Sequence, residues 1–476
     1  MYCKIKARVL THAISAFVAI SCLTSAASAQ WNERVLYSFQ GGTDGALPSG
    51  GLIHDKLGNL YGMTAEGGAP SCPPGWCGTV YELSPPAQAG GAWTETLLYV
   101  FKGHDQNDGS SPSGGLIADG AGNFYGVTAY GGIGPCVLFG TPTGCGTVFE
   151  LSPPATPGAP WIETVLYNFQ GGNDGDLPTG SLVFDGWDNL YGATEFGGGQ
   201  GTTCDLFYGG NCGTIFELSP PEQSGAAWTE KVLHSFAGPA PGAEYGDGAL
   251  PNGGLVFDST GVLYGTTFYG GNNVQRQCEG GVEGTGCGIV FALMPPTKSG
   301  GQWREKLLHA FYGRDGSSSA AGVVLDQNGN LYGTASSGGP IGADGLVFEL
   351  TRPPANLGSW TEEILHVFTD GADGGSPEAG LTFDSEGHLF GAASQGGYSS
   401  QYGDVYALRP PIANGGKWGF GVLYGFHPPN SNPGQPASKL MLDLKGNLYG
   451  TTQYGGSGVN CNFGGCGTVF EISPQQ

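Results

Sequence analysis

Seven tryptophans, Trp31, Trp93, Trp161, Trp228, Trp303, Trp360 and Trp418, each open a copy of one stretch of sequence. From Trp93 it reads W-T-E-T-L-L-Y-V-F, followed by a Gly/Asp-rich run, G-L-I-x-D and x-x-G-N-F-Y-G-x-T. A second glycine-rich run then leads into G-T-V-F-E-L-S-P-P. Units repeated in tandem bury their apolar faces against their neighbours, so this array must fold as one continuous ring or solenoid. Successive tryptophans are roughly 60–75 residues apart, longer than the ~40–50 of common propeller repeats. The excess lies in the glycine-rich runs.

Each unit carries four strand-like segments and no helical period. In the first, segments 52–55 and 60–64 flank Lys56-Leu57-Gly58-Asn59, a hairpin turn in which Gly or Asn supplies positive φ. Segment 79–83 is the third strand, and 93–101, rich in aromatic and β-branched residues, is the fourth. Four short strands copied seven times predict an all-β, seven-bladed β-propeller. An open β-solenoid is the rival, but its coils rarely use hairpin turns. With 52–55 innermost, the Trp strand is outermost. The first Trp strand, 31–39, then has no blade before it, and the chain ends on a third strand with no fourth. Residues 31–39 should complete the last blade beside 440–443, 448–452 and 468–472, removing two unpaired edges.

Composition agrees. Of 476 residues 91 are glycine, and 11% aromatics argue against disorder. Residues 1–29 read as a secretory signal peptide: Lys4, Lys6 and Arg8, an apolar stretch, and Ala27-Ser28-Ala29 as the cleavage site. Residues 30–476 then form a single propeller domain, secreted, with no membrane insertion, and expected to be a monomer. Losing those three basic residues takes the net charge from −23 to −26. A surface this acidic repels phosphate backbones, which excludes nucleic acid as a partner.

The recurring G-T-V-F-E-L-S-P-P, W-T-E-T-V-L-Y and G-N-L-Y-G-T-T elements resemble the GloVer tandem-repeat family of bacterial secreted or surface proteins. The resemblance implies extracytoplasmic display and brings no catalytic residues to carry over. Family members carry C-terminal anchors, and none is visible here before Gln476.

Ten cysteines beyond the signal fall in pairs: Cys72/Cys77, Cys136/Cys145, Cys204/Cys212, Cys278/Cys287 and Cys461/Cys466. Repeats five and six lack both members together, which is what disulfide partners predict in an oxidising compartment. The spacing varies and no histidine accompanies each pair, which argues against zinc.

The cystine loops and the Gly/Asp-rich runs emerge on one face. The runs carry Asp44, Asp108, Asp174, Asp247, Asp315 and Asp373, each before a glycine. Ringed around a channel mouth they could bind calcium, but an aspartate that caps its own turn explains the repetition better. Asp55 and its six equivalents, before the hairpin turn, read as structural in the same way. Glu33, Glu95, Glu163, Glu230, Glu305 and Glu362, two residues after their tryptophans, read as charges on an exposed outer strand. Function concentrates where repeats differ: Glu244 and Tyr245 in a longer loop, and Phe139, Phe207 and Tyr208 in long cystine loops, suited to sugar stacking or protein contact. The competing reading packs these aromatics inside their own loops. His234, His309 and His366 hold the repeat position of Tyr37, Tyr99, Tyr167 and Tyr424, so they are blade residues first. G-x-S-x-G and H-E-x-x-H are missing. The sequence therefore favours an extracellular binding or display protein for a glycan or protein, without a cofactor unless calcium. A carbohydrate-active hydrolase or lyase comes second, and a structural envelope protein third.

Overall fold

The computed structural model describes residues 31–475 apart from 69–76, 89, 157, 200–203, 205–210, 224, 240–245, 272–277, 279–284, 299, 355–357, 398–401, 414, 428–433, 459 and 462–463. The signal-peptide expectation for residues 1–29 lies outside the described residues, as do Cys72, Phe207, Tyr208, Glu244 and Tyr245.

Among the described residues, six antiparallel four-stranded sheets and one whose inner strand is split in two form the seven blades of a β-propeller. Blade 3 is representative, with Asp176–Phe184 innermost, then Leu190–Phe196, Thr214–Ser219 and the outermost strand Thr229–Ser235. Each turn between the first two strands is fixed by one aspartate. Asp55 Oδ1 accepts the N–H of Leu57 (2.8 Å) and of Asn59 (2.9 Å), while Oδ2 accepts the Tyr61 hydroxyl at 3.1 Å.

Blade 7 is composite. Trp31–Ser38 pairs with Thr468–Pro474 from Trp31↔Pro474 to Ser38↔Thr468, beside Leu448–Tyr454 and the short inner pieces Gly434–Pro436 and Met441–Leu442. Closure is as complete there as elsewhere. One aromatic pair crosses every blade junction: Phe101–Phe149, Phe169–Phe216, Phe236–Phe291, Phe311–Phe348, Phe368–Tyr406, Phe426–Phe470 and, at the seam, Phe39–Tyr81. Their ring centroids are 5.1–5.3 Å apart. All fourteen rings are fully buried, and each pair adds about 0.5–1.5 kcal/mol beyond its buried area.

At the axis the inner strands meet backbone to backbone. Gly50 has φ +70°, and a Cβ there would fall 1.6 Å from the carbonyl oxygen of Gly114 in the next blade. Only glycine allows that approach.

Each outermost strand carries a β-bulge. Between Val35 and Tyr37 the register slips by one residue, which buries Leu36 and re-aims Tyr37 toward the loop leaving the strand. The glutamates two residues after six of the seven tryptophans are partly buried rather than exposed. The reason is strand alternation, which turns Glu95 and its equivalents toward the preceding blade.

Candidate functional site

Because the strands alternate in direction, the loops between second and third strands share a face with the loops that link blades. Disulfides brace four of the former: Cys136–Cys145, Cys204–Cys212, Cys278–Cys287 and Cys461–Cys466, with Cα–Cα distances of 5.0–5.3 Å. Cys77 is also disulfide-bonded. The cystines press on the linking loops: a Cβ at Gly41 would lie 2.8 Å from Cys461 Sγ and 2.9 Å from Cys466 Sγ.

The six loop aspartates sit at blade junctions, each against an outer-strand Tyr or His. Tyr37 donates to Asp44 (3.1 Å), Tyr99 to Asp108 (2.8 Å) and Tyr167 to Asp174 (2.7 Å). His234, His309 and His366 place Nε2 at 3.2, 3.0 and 3.3 Å from Asp247, Asp315 and Asp373. A backbone N–H from the loop also binds each carboxylate, as Lys102 does to Asp108 at 2.9 Å. At five of the six junctions the next blade's glutamate faces this pair, and at the sixth Phe420 takes its place. Burial, and then the neighbouring aspartate, pushes Glu95 up to about 7 and Glu230 to about 8.

One blade departs from the repeat on this face. Blade 3 has Asp176 where others have Ala46, Ser110, Ala249, Ser317 and Gly375, and Glu195 where others have Ala65, Ala129, Phe268, Ser336, Ser394 and Gln453. Asp176 starts the inner strand and pairs across the sheet with Phe196, the residue after Glu195, which brings both acids into one cleft. The cleft has a volume of about 310 Å³; its walls are Val137, Leu138, Phe139, Leu177 and Phe196. Phe139 tops the Cys136–Cys145 loop and is 86% exposed.

Both acids hold protons unusually well. Burial raises Asp176 to about 6 against the opposing N–H of Leu177. Burial and then Asp176 raise Glu195 to about 7. Asp176 Oδ1 is buried with no hydrogen-bond partner. Near neutral pH the pair thus offers both a hydroxyl donor and carboxylate acceptors inside apolar walls. Tyr269 of blade 4 feels the same charge: burial and then Glu195 push its phenol up. Of the residues singled out for a ligand in the sequence, the structure brings Phe139 alone into this cleft. Asp176 and Glu195 were missed, although reading the repeats column by column exposes both as lone acids among small, apolar or neutral polar residues.

A second, wider groove of about 610 Å³ lies between blades 6 and 7, lined by Trp31, His388, Phe390, Arg409 and Leu423 among others. Its His388 contacts, to Asp384 at 2.7 Å and to Glu386 at 3.9 Å, belong to the hairpin turn.

Fold and site together define a disulfide-braced tandem-repeat β-propeller with an extra acid pair in blade 3. Residues 277–476 match the Gloeobacter/Verrucomicrobia repeat, and the same elements run through the blades before them. No curated protein matches the chain in sequence. Among solved structures, it overlaps a luciferin-regenerating enzyme with TM-score 0.40 at 16% identity, covering 76% of this chain and 91% of that one. A protein assigned as a gluconolactonase overlaps with TM-score 0.40 at 11% identity, over 94% and 93% of the two chains. A gluconolactonase from Xanthomonas campestris gives 0.33 at 13%, over 66% and 75%. Overlaps this loose transfer no residue's role. Among the described residues no helix is long and apolar enough to cross a membrane.

Proposed function

We propose that this chain is an extracellular binding protein that holds a neutral glycan in the blade 3 cleft. The observation that carries the reading is convergence: two acids absent from the other blades meet under a cystine loop whose tip presents an exposed phenylalanine. Carboxyl groups bind sugar hydroxyls as donors and acceptors, and an aromatic face stacks on the apolar side of a pyranose. The disulfides support an oxidising, extracytoplasmic setting.

The same acid pair favours a second reading, a glycan hydrolase or lyase. One acid at about 6 and the other at about 7 could divide the roles of base and acid. Glycan-array screening followed by calorimetry separates the two. The binding reading expects retention of intact oligosaccharide, weakened roughly 3- to 10-fold by Phe139→Ala, given the usual worth of an aromatic contact. It also expects loss of binding in Asp176→Asn/Glu195→Gln. Turnover of the bound glycan that vanishes in that double variant would replace binding with catalysis, and no glycan retained at all would reject both.

A further inference from the structure

Among the described residues, two groups of side chains bring three metal-ligating atoms within 4.8 Å of one another. In the first, Cys136, Cys145 and Asp176, the sulfurs are already bonded to each other. The second is His309, Asp315 and Glu362, at the junction of blades 4 and 5 and remote in sequence from the blade 3 cleft. We propose that His309 Nε2, Asp315 Oδ2 and Glu362 form a binding site for a divalent transition metal, with Zn²⁺ the expected ion outside the cell.

Three observations carry this. First, the Nε2–Oδ2 distance of 3.0 Å matches the edge between ligands at ~2.0–2.1 Å from one ion, roughly 2.9–3.4 Å. Second, Glu362 Oε1 is buried with no hydrogen-bond partner, so the cluster has one unused ligand atom. Third, the pair is held in place. Asp315 is 2% exposed, its Oδ1 accepts the N–H of Tyr312 at 2.8 Å, and the His309 ring packs edge-on against buried Phe311 at 4.8 Å. Two carboxylates and a neutral imidazole carry two negative charges, balanced by one divalent ion. As the metal–nitrogen bond forms, the Nε2 proton of a neutral His309 ring passes through solvent to Nδ1, so the ring stays neutral, and any proton on Glu362 leaves to solvent.

The repeat supplies its own controls. Blades that use Tyr at the His309 position make the same hydrogen bond to aspartate, as Tyr99 does to Asp108, so His309→Tyr keeps the junction while removing the imidazole ligand. His366 also faces an aspartate, but Phe420 stands where the glutamate would, stacked on His366 at 3.5 Å.

The test uses the full chain stripped with a chelator and titrated with ZnCl₂ by calorimetry, and with CoCl₂ by visible absorption. The expected result is a saturable equivalent of Zn²⁺, a cobalt ligand-field band, and at least ~10-fold weaker binding in His309→Tyr and Glu362→Gln but not in His366→Tyr. The inference is overturned if the chain takes up no Zn²⁺ at millimolar concentration, or if His309→Tyr and Glu362→Gln leave both signals unchanged.

Discussion

Asp404 shows what one departure from a repeat costs. At the start of the third strand, blades 1, 2, 3 and 7 bury a threonine pair: Thr64–Thr79, Thr128–Thr147, Thr194–Thr214 and Thr452–Thr468, with hydroxyls 2.8–2.9 Å apart. Blade 6 has Ala393 and Asp404 there. Asp404 is fully buried, neither carboxyl oxygen has a partner, and burial followed by the Asp373 charge raises its pKa to about 8. An unpaired buried polar group costs about 1–3 kcal/mol. Ala393→Thr/Asp404→Thr, which restores the pair used elsewhere, should raise the melting temperature by several degrees at pH 7. A variant that melts at or below the wild-type temperature would show that Asp404 is held by something other than burial.

Among elements, the loop between the second and third strands of blade 3's neighbour does the most. The Cys136–Cys145 bridge closes a short loop, and by chain entropy such a bridge stabilises by about 2–3 kcal/mol. It also holds the loop that carries Phe139, whose backbone lies in the left-handed region at φ 49°. Cys136→Ser/Cys145→Ser should lower the melting temperature modestly while weakening glycan binding at least as much as Phe139→Ala does. Equal affinity with and without the bridge would mean that the loop needs no staple. Much of this was legible beforehand: paired loss of cysteines in repeats five and six announced the bridges, and the D-x-x-G-N turns announced the hairpins. The cleft was not legible as a site, because Asp176 and Glu195 are 19 residues apart and meet only through strand pairing. The outer-strand glutamates misled for a related reason. A polar residue in an alternating strand reads as solvated, and here the adjacent blade covers it.

At the scale of the whole molecule those glutamates act together. Burial comes first among the causes that raise Glu33 to about 6, Glu95, Glu163, Glu305 and Glu362 to about 7, and Glu230 to about 8. Each folded-state value lies above the ordinary carboxyl value of 4.5, so the folded ring binds more protons than the unfolded chain between those limits. The stabilisation is fully present below about pH 4.5 and fades as pH rises through 6 to 8. Growing net negative charge acts in the same direction. The melting temperature should therefore fall steadily from pH 5 to pH 8.5, and a rise over that range would contradict the burial of these groups. All of this, the cleft included, depends on a closed and rigid ring. The direct measurement is calorimetric unfolding of residues 30–476 with and without residues 31–38. Closure through blade 7 predicts that the truncation exposes the edge of Thr468–Pro474 and abolishes the single cooperative transition or lowers it by tens of degrees. A truncated chain that unfolds in the same transition, within a degree or two of the intact one, would contradict it.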